Sequence, residues 1–308
     1  MSGNQSGQAQ AMEAMACELE QHPDYRVIRR FAPRTVYVQP DGRPLRKGIV
    51  VDTETTGTSH DEDKVIELGM VAFEFDPQTG QVYRIVDSYN GFDDPGMPIP
   101  PESTAVHSIT DDMVTGQALD AGRVAELLDG AAIVIAHNAL FDRPFLEARL
   151  PQFANVPWAC SLAQLNWSAE GLGSHKLDYI AYQFGFFYEA HRAEADCLAL
   201  LEILRRQLPA SGITGLKRLL DEYLMKNYRV WARGSRFDTK DLLKQHFYRW
   251  EADEKCWHKT VGEPVLSAEV EWLKAAVYGG RSVTLDVEVF DAYSRFSKRP
   301  GRVVSQTI

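Results

Sequence analysis

The run Gly48-Ile49-Val50-Val51-Asp52-Thr53-Glu54 constrains this chain more than any other segment. An apolar stretch bounded by turn residues reads as a buried strand. Alternate residues of a strand share a face, so Asp52 and Glu54 project together while Thr53 points away. Two adjacent carboxylates repel, and a hard divalent cation relieves that repulsion. Oxygen-only ligands favour Mg²⁺ or Mn²⁺ over zinc. The structural alternative for an isolated Asp-x-Glu is a solvated strand end. Thr55-Thr56-Gly57 then turns the chain and offers backbone N–H groups and hydroxyls to a substrate.

The neighbouring segments build a sheet around this strand. Val65–Phe75 is rich in apolar and β-branched residues, and 82–89 forms a third strand. Asp76-Pro77-Gln78-Thr79-Gly80 between them reads as a hairpin connection, giving an antiparallel meander. Helical periodicity over 111–128 leads to a short buried strand at Ala131–Ala136 and a helix at 142–149. Trp158–Cys160 is a fifth strand, and 177–184 and 193–207 are helices. Antiparallel strands followed by alternating helices and strands predict an α/β domain with a five-stranded mixed sheet flanked by helices.

The polar, Gly/Ser/Gln-rich residues 1–10 predict disorder, with a short helix following, so 1–21 form a disordered or partly helical segment. The stretch 208–215 marks a boundary between a domain at 22–210 and an extension at 211–308. The extension reads as helices at 216–226 and 239–245 plus an aromatic pair of short strands, a small α+β unit.

Composition excludes several classes. The net charge of −10 argues against a general phosphate-coating protein. The charge is uneven, however: residues 211–308 carry 17 basic and 13 acidic side chains, a net of +4, and the rest carries −14. An acidic front is suited to cations and a basic tail to a polyanion. No apolar stretch reaches membrane-spanning length, and the start lacks a basic-then-apolar secretory pattern. Cys17, Cys160, Cys197 and Cys256 have neither zinc-ligand nor redox spacing, which predicts reduced thiols and a cytoplasmic protein without membrane contact.

Two further segments carry chemistry. In His137-Asn-Ala-Leu-Phe-Asp142, Asp142 falls at a strand-to-helix transition, where ligand-binding loops of such sheets gather; the structural alternative is a helix N-cap. In His191-Arg-Ala-Glu-Ala-Asp196, His191 lies on the loop entering a helix and Asp196 in its first turns. The helix dipole keeps such a carboxylate ionised, and an imidazole can accept a proton from water near neutral pH.

Together with Asp52-Thr-Glu-Thr-Thr-Gly57 and Ala105-Val-His107-Ser-Ile-Thr110, these segments resemble the DEDDh exonuclease family, which contains the proofreading epsilon subunit of bacterial DNA polymerase III. The resemblance covers 47–208, with the motifs in the family's order, and the His191-x4-Asp196 spacing selects the histidine subtype. It implies a ribonuclease-H-like exonuclease fold and a 3′→5′ exonuclease that uses two divalent cations, Mg²⁺ or Mn²⁺. It assigns Asp52, Glu54 and Asp196 to one metal, with Asp52 shared by a second that Asp142 assists through water. It makes His191 the general base, with Glu54 also in the catalytic set, and nucleoside 5′-monophosphates the products. Thr55, Thr56, His107, Asn138 and Phe141 match positions lining the terminal-nucleotide pocket. The implied partner is a nucleic acid with a free 3′ end, DNA favoured and RNA the alternative. Where many relatives carry an apolar wedge after Thr-Thr-Gly, this chain has Thr58, so any wedge comes from another side chain. A freestanding enzyme, a proofreading subunit bound to a DNA polymerase and a non-catalytic nucleic-acid-binding scaffold are the competing readings.

Within 236–259, aromatics alternate with Lys and Arg, a pattern that can stack bases and hold phosphates. The structural reading, that Trp250 and Trp257 form the core of a small domain, is the favoured one.

Overall fold

The computed structural model describes residues 2–307; Met1 and Ile308, which the N- and C-terminal expectations also cover, lie outside them. The first sheet comprises β1 (Arg46–Thr55), β2 (Val65–Phe75), β3 (Val82–Phe92), β4 (Ala131–Ala136) and β5 (Trp158–Cys160). Its order is β3-β2-β1-β4-β5. β1, β2 and β3 are antiparallel neighbours, while β4 lies parallel to β1 and β5 parallel to β4. This is the five-stranded mixed sheet expected from the meander and the alternating segments behind it, and the ribonuclease-H-like fold that the family resemblance implied.

Helices cover both faces, and the residue parity of β1 decides which side each packs on. Val50, Val71, Phe73, Ile133 and Ile135 meet α4 (Leu177–Gln183), α5 (Ala193–Arg205) and α6 (Gly215–Tyr223). Ile49, Val51, Leu68, Met70 and Val134 meet α2 (Ala121–Leu128) and α3 (Ala139–Arg149). The even-numbered face of β1 therefore looks at α5, and its last two members are Asp52 and Glu54. A satellite cluster of Ile66, Ile99, Ile109 and Val114 seats the short helix Pro101–His107 beside the strand ends.

Several boundaries differ from expectation. The predicted helix at 111–128 is broken into Asp111–Val114 and α2, with Gly116 at φ 71° between them. Helix α3 starts at Ala139, so Asp142 lies within its first turn and Asn138 occupies the N-cap position. Residues 2–10, predicted disordered, belong to α1 (Ser2–Glu20). The second half of that helix is tied down by Arg29, whose guanidinium donates to Glu13 and Glu20.

The extension folds as a second, antiparallel sheet of order β10-β9-β6-β8-β7, made of β6 (Asn227–Trp231), β7 (Arg249–Glu251), β8 (Cys256–Gly262), β9 (Thr284–Phe290) and β10 (Arg302–Thr307). One face of it buries Val230, Val261, Leu285 and Val287 against α7 (Lys240–Gln245), α8 (Leu266–Trp272) and the turn that follows them. Trp257 packs on this core, but Trp250 does not belong to it: the residue is 52 % exposed on the edge strand β7 and touches Trp257 edge-on. An edge strand has one neighbour, which leaves Trp250 largely open to solvent.

The segment after β9 is fastened to the first sheet. Arg143 of α3 is fully buried, and its guanidinium donates to the carbonyls of Ala292, Tyr293 and Arg295. The Trp158 N–H of β5 donates to the Ala292 carbonyl, and Arg299 donates to Glu147. No helix among the described residues is long and apolar enough to cross a membrane.

Candidate active site

At the end of β1, Asp52 is half-buried and Glu54 is 9 % exposed. Asp196, from the first turn of α5, is 8 % exposed. One carboxylate oxygen of each lies within 4.8 Å of the other two. The close approach of α5 depends on Gly69. This residue pairs with Asp52 across the sheet, and a Cβ there would sit 2.4 Å from the Ala193 carbonyl carbon and 2.6 Å from the Glu194 nitrogen. The missing side chain lets the start of α5 rest on the sheet backbone.

Asp142 comes from the opposite side of the sheet. Its Oδ1 accepts hydrogen bonds from the Thr53 N–H (3.1 Å) and hydroxyl (2.9 Å). The side chain that β1 turns away from Asp52 thus holds Asp142 against the strand end, and the N-cap alternative for Asp142 does not apply. Asp196 accepts from the Tyr188 hydroxyl at 2.7 Å and from the Arg192 N–H at 3.1 Å.

His191 is exposed and sits at φ 65°, a left-handed conformation uncommon for a residue with a side chain. What holds it there is its neighbour. Arg192 forms an ion pair with the fully buried Glu67 at 3.0 Å, and Glu67 also accepts from the Ala193 N–H and the Asn90 side chain. Glu67 faces Glu54 across the strand pair.

These groups strongly perturb one another. Burial and the neighbouring Asp142, Asp196 and Glu54 hold Asp52 well above the usual carboxylate range. Glu54 is pushed up to about 8 by burial and by the charges of Asp196 and Glu67. Asp142 is pushed up to about 7 by burial, against the pull of the Thr53 hydrogen bonds. Burial raises Asp196 also, opposed by Tyr188 and the Arg192 N–H. Carboxylates crowded until they retain protons form the donor set that a divalent cation would discharge, and every donor is a hard oxygen.

The substrate-facing candidates fall into different positions. Thr55 donates to the Gly57 carbonyl, and Thr56 is fully buried with its hydroxyl bonded to Asp63 and the Lys64 N–H. Thr56 therefore shapes the loop. His107 is buried, accepts from the Ile109 N–H through Nδ1, and has no hydrogen-bond partner at Nε2 among the described residues. Burial lowers its pKa. Asn138 is exposed on a cleft shared with Leu162, His175 and Lys176. Phe141 packs against His60 and Phe145 at ring separations of 6.1 and 5.1 Å.

Three residues at this site were not singled out from sequence. Glu67 and Gly69 left a signal, a charge and a glycine inside an apolar strand. Tyr188 left none, since nothing in its neighbourhood shows that its hydroxyl reaches Asp196.

A stretch of 165 residues is 33% identical to the DNA polymerase III subunit epsilon of Treponema pallidum, covering 49% of this chain and 72% of that protein. A stretch of 208 residues is 32% identical to the PolC-type DNA polymerase III of Clostridium perfringens, covering 64% of this chain but 13% of that much longer protein. Among solved structures, exonuclease X in complex with 5′-overhanging duplex DNA aligns with a TM-score of 0.41 at 25% identity, over 56% of this chain and 98% of that one. The family model described as RNase_T, exonuclease, matches residues 49–204, the stretch that contains all four carboxylates and His191, and the chain belongs to that exonuclease family.

Proposed function

We propose that the chain is a metal-dependent 3′→5′ exonuclease that removes nucleoside 5′-monophosphates from the 3′ end of a nucleic acid, with DNA as the favoured substrate. The observation that carries this reading is the convergence of Asp52, Glu54 and Asp196, with ligand oxygens within 4.8 Å of one another at a strand end. In this reading the three hold one divalent cation, Mg²⁺ or Mn²⁺, and Asp52 is shared with a second that Asp142 assists. Bound cations supply Lewis-acid polarisation of the phosphodiester, a lowered pKa for the attacking water and neutralisation of the departing 3′ oxygen.

The chain's own residues do the rest. His191, exposed at the start of α5, accepts the proton of the attacking water. Arg192 and Glu67 fix the loop that carries it. Thr53 and Tyr188 orient the carboxylates of Asp142 and Asp196. His107, Asn138, Phe141 and Thr55 border the terminal nucleotide, and Thr56 supports the turn beneath it. The division into an exonuclease domain at 22–210 and an extension at 211–308 belongs to the same proposal.

The test is digestion of 5′-labelled single-stranded and duplex DNA and RNA with Mg²⁺ or Mn²⁺, against EDTA and Asp52→Ala controls. A ladder that shortens from the 3′ end, with wild type and metal alone, is the expected result. Absence of degradation on every substrate overturns the reading. Similarity to a polymerase III epsilon subunit favours one elaboration, a proofreading role beside a DNA polymerase. Co-purification with a polymerase separates that role from a freestanding one.

A further inference from the structure

The second sheet has one face spent on its own core and another face left over. Register assigns that second face. Arg229 pairs with Thr260 and with Glu288, and Arg249 pairs with His258, so these side chains share the side opposite Val230 and Lys259. The face looks across a cleft of about 390 Å³ at Leu140, Ala163 and Gln164 of the catalytic body, with Arg295 and Phe296 between. Leu140 is 58 % exposed and directly precedes Phe141 and Asp142.

Three observations describe what this cleft would accept. Its lining contains Arg229, Arg249, Arg295 and His258 and no aspartate or glutamate, in a chain whose net charge is −10. The compensation of the three guanidinium groups is partial: Arg229 pairs with Glu288 at 3.1 Å, and Arg295 is bonded to the Tyr223 and Met225 carbonyls. Among the described residues Arg249 is exposed and has no ion pair. Finally, among the described residues Arg229 Nε, His258 Nδ1 and Arg295 Nε are buried without a hydrogen-bond partner. The exposed, unpaired guanidinium of Arg249, in a cleft whose lining carries no carboxylate, suits an anion with several acceptor oxygens. Leu140, Phe290 and Phe296 add an apolar floor of the kind that bases and sugars contact.

We propose that this cleft binds the phosphodiester backbone of the strand under digestion, on the 5′ side of the terminal nucleotide. The proposal rests on the exonuclease reading for the identity of the polyanion; the cleft's geometry and charge are independent of it. Its consequence is length dependence: substrates that reach the cleft are held by the extension, and the shortest ones are not. Phosphate contacts of this kind bind without reading sequence.

The experiment measures binding and turnover separately. Binding of labelled single-stranded DNA and RNA, a dinucleotide against long oligomers, is followed by anisotropy in EDTA across a salt series. Turnover uses the p-nitrophenyl ester of thymidine 5′-monophosphate, which has no nucleotide backbone 5′ of the scissile phosphate. The variants are Arg249→Gln, at an exposed and unpaired position, and Thr260→Glu, which sets a carboxylate on the same exposed face. Each should weaken long-oligomer binding roughly tenfold. Arg249→Gln should also lower the salt slope by about one. Dinucleotide binding and ester hydrolysis should not change. Equal loss on DNA and RNA identifies the backbone as the ligand, and loss on one alone adds a contact to the sugar. Wild-type affinity and salt slope in both variants overturn the cleft proposal. A wild-type protein that binds oligomers but hydrolyses neither ester nor strand overturns the exonuclease reading instead and leaves the cleft standing.

Discussion

Replacing Gly69 by alanine tests how closely the catalytic arrangement depends on backbone contact. The new Cβ would lie 2.4 Å from the Ala193 carbonyl carbon, where ordinary contact begins at 3.4 Å. The start of α5 must therefore recede by about 1 Å, because the atoms it meets are backbone and cannot rotate away. Asp196 lies three residues further along that helix and moves with it. Magnesium requires oxygen ligands at about 2.1 Å in near-octahedral geometry, so a ligand displaced by about 1 Å no longer completes the set. Misplacement on that scale costs about 10²-fold in rate, and the overpacking itself destabilises by about 1–3 kcal/mol. The assay is kcat on a labelled oligonucleotide as a function of Mg²⁺ concentration, paired with thermal melting. Leu219→Ala is the control. That residue is fully buried in the core on the same side of the sheet, and its truncation costs about 2–5 kcal/mol while leaving the carboxylates in place. The expected pattern is a large loss of rate with modest loss of stability for Gly69→Ala, and the reverse for Leu219→Ala. A Gly69→Ala protein with wild-type rate and Mg²⁺ dependence would refute the argument that this glycine sets the position of Asp196.

Asp52→Ala should abolish turnover, and His191→Ala should lower kcat by about 10²–10⁴ with the fold unchanged by circular dichroism. Near-normal rates in either variant contradict the proposed roles. Tyr188→Phe removes the hydroxyl that donates to Asp196 and should weaken apparent metal affinity by about 10–100-fold, read from metal titrations of activity and by calorimetry. In EDTA the protein should lose stability as pH rises. Glu54 and Asp142 have folded pKa values raised to about 8 and about 7, above their ordinary values of 4.5 and 3.8. Their contribution is fully present below the ordinary values and lost as pH climbs through the raised ones. Melting from pH 4 to 9 should show this decline, Glu54→Gln should flatten it and added Mg²⁺ should reverse it. A flat wild-type profile counts against the raised values.

Much of the first sheet was legible because a strand buried on both faces reads as a short continuous apolar run, and strand parity then assigns each residue to a face. The apolar run before Asp52 and the β-branched run at Val65–Phe75 could hardly fold otherwise. The same parity put Asp52 and Glu54 on one face, and the His191-x4-Asp196 spacing put a third carboxylate near a helix start. Contacts between distant segments were not legible. Nothing local links Thr53 to Asp142 or Tyr188 to Asp196. Trp250 was misread because an aromatic residue on an edge strand has the same sequence pattern whether or not a helix covers it. β10 was missed because its six residues are all exposed and show no apolar alternation.

The hydrogen bond from Trp158 to Ala292 has a further consequence. β5 is the last strand of the first sheet, and an uncovered last strand is a template on which another chain can add and start aggregation. At the opposite border, β3 is shielded by the stretch around Val36, where the Tyr37 and Val38 N–H groups donate to the Tyr83 carbonyl. The segment after β9 does the same for β5, held there by Arg143 and Arg299. A chain cut at residue 210 would bare the border at β5 and leave the Arg143 guanidinium facing solvent where three carbonyls had been. Such a fragment should self-associate. Poor solubility after removal of residues 211–308 would then report the loss of edge protection rather than the loss of a nucleic-acid contact, so point variants in the cleft are the sounder way to examine the extension.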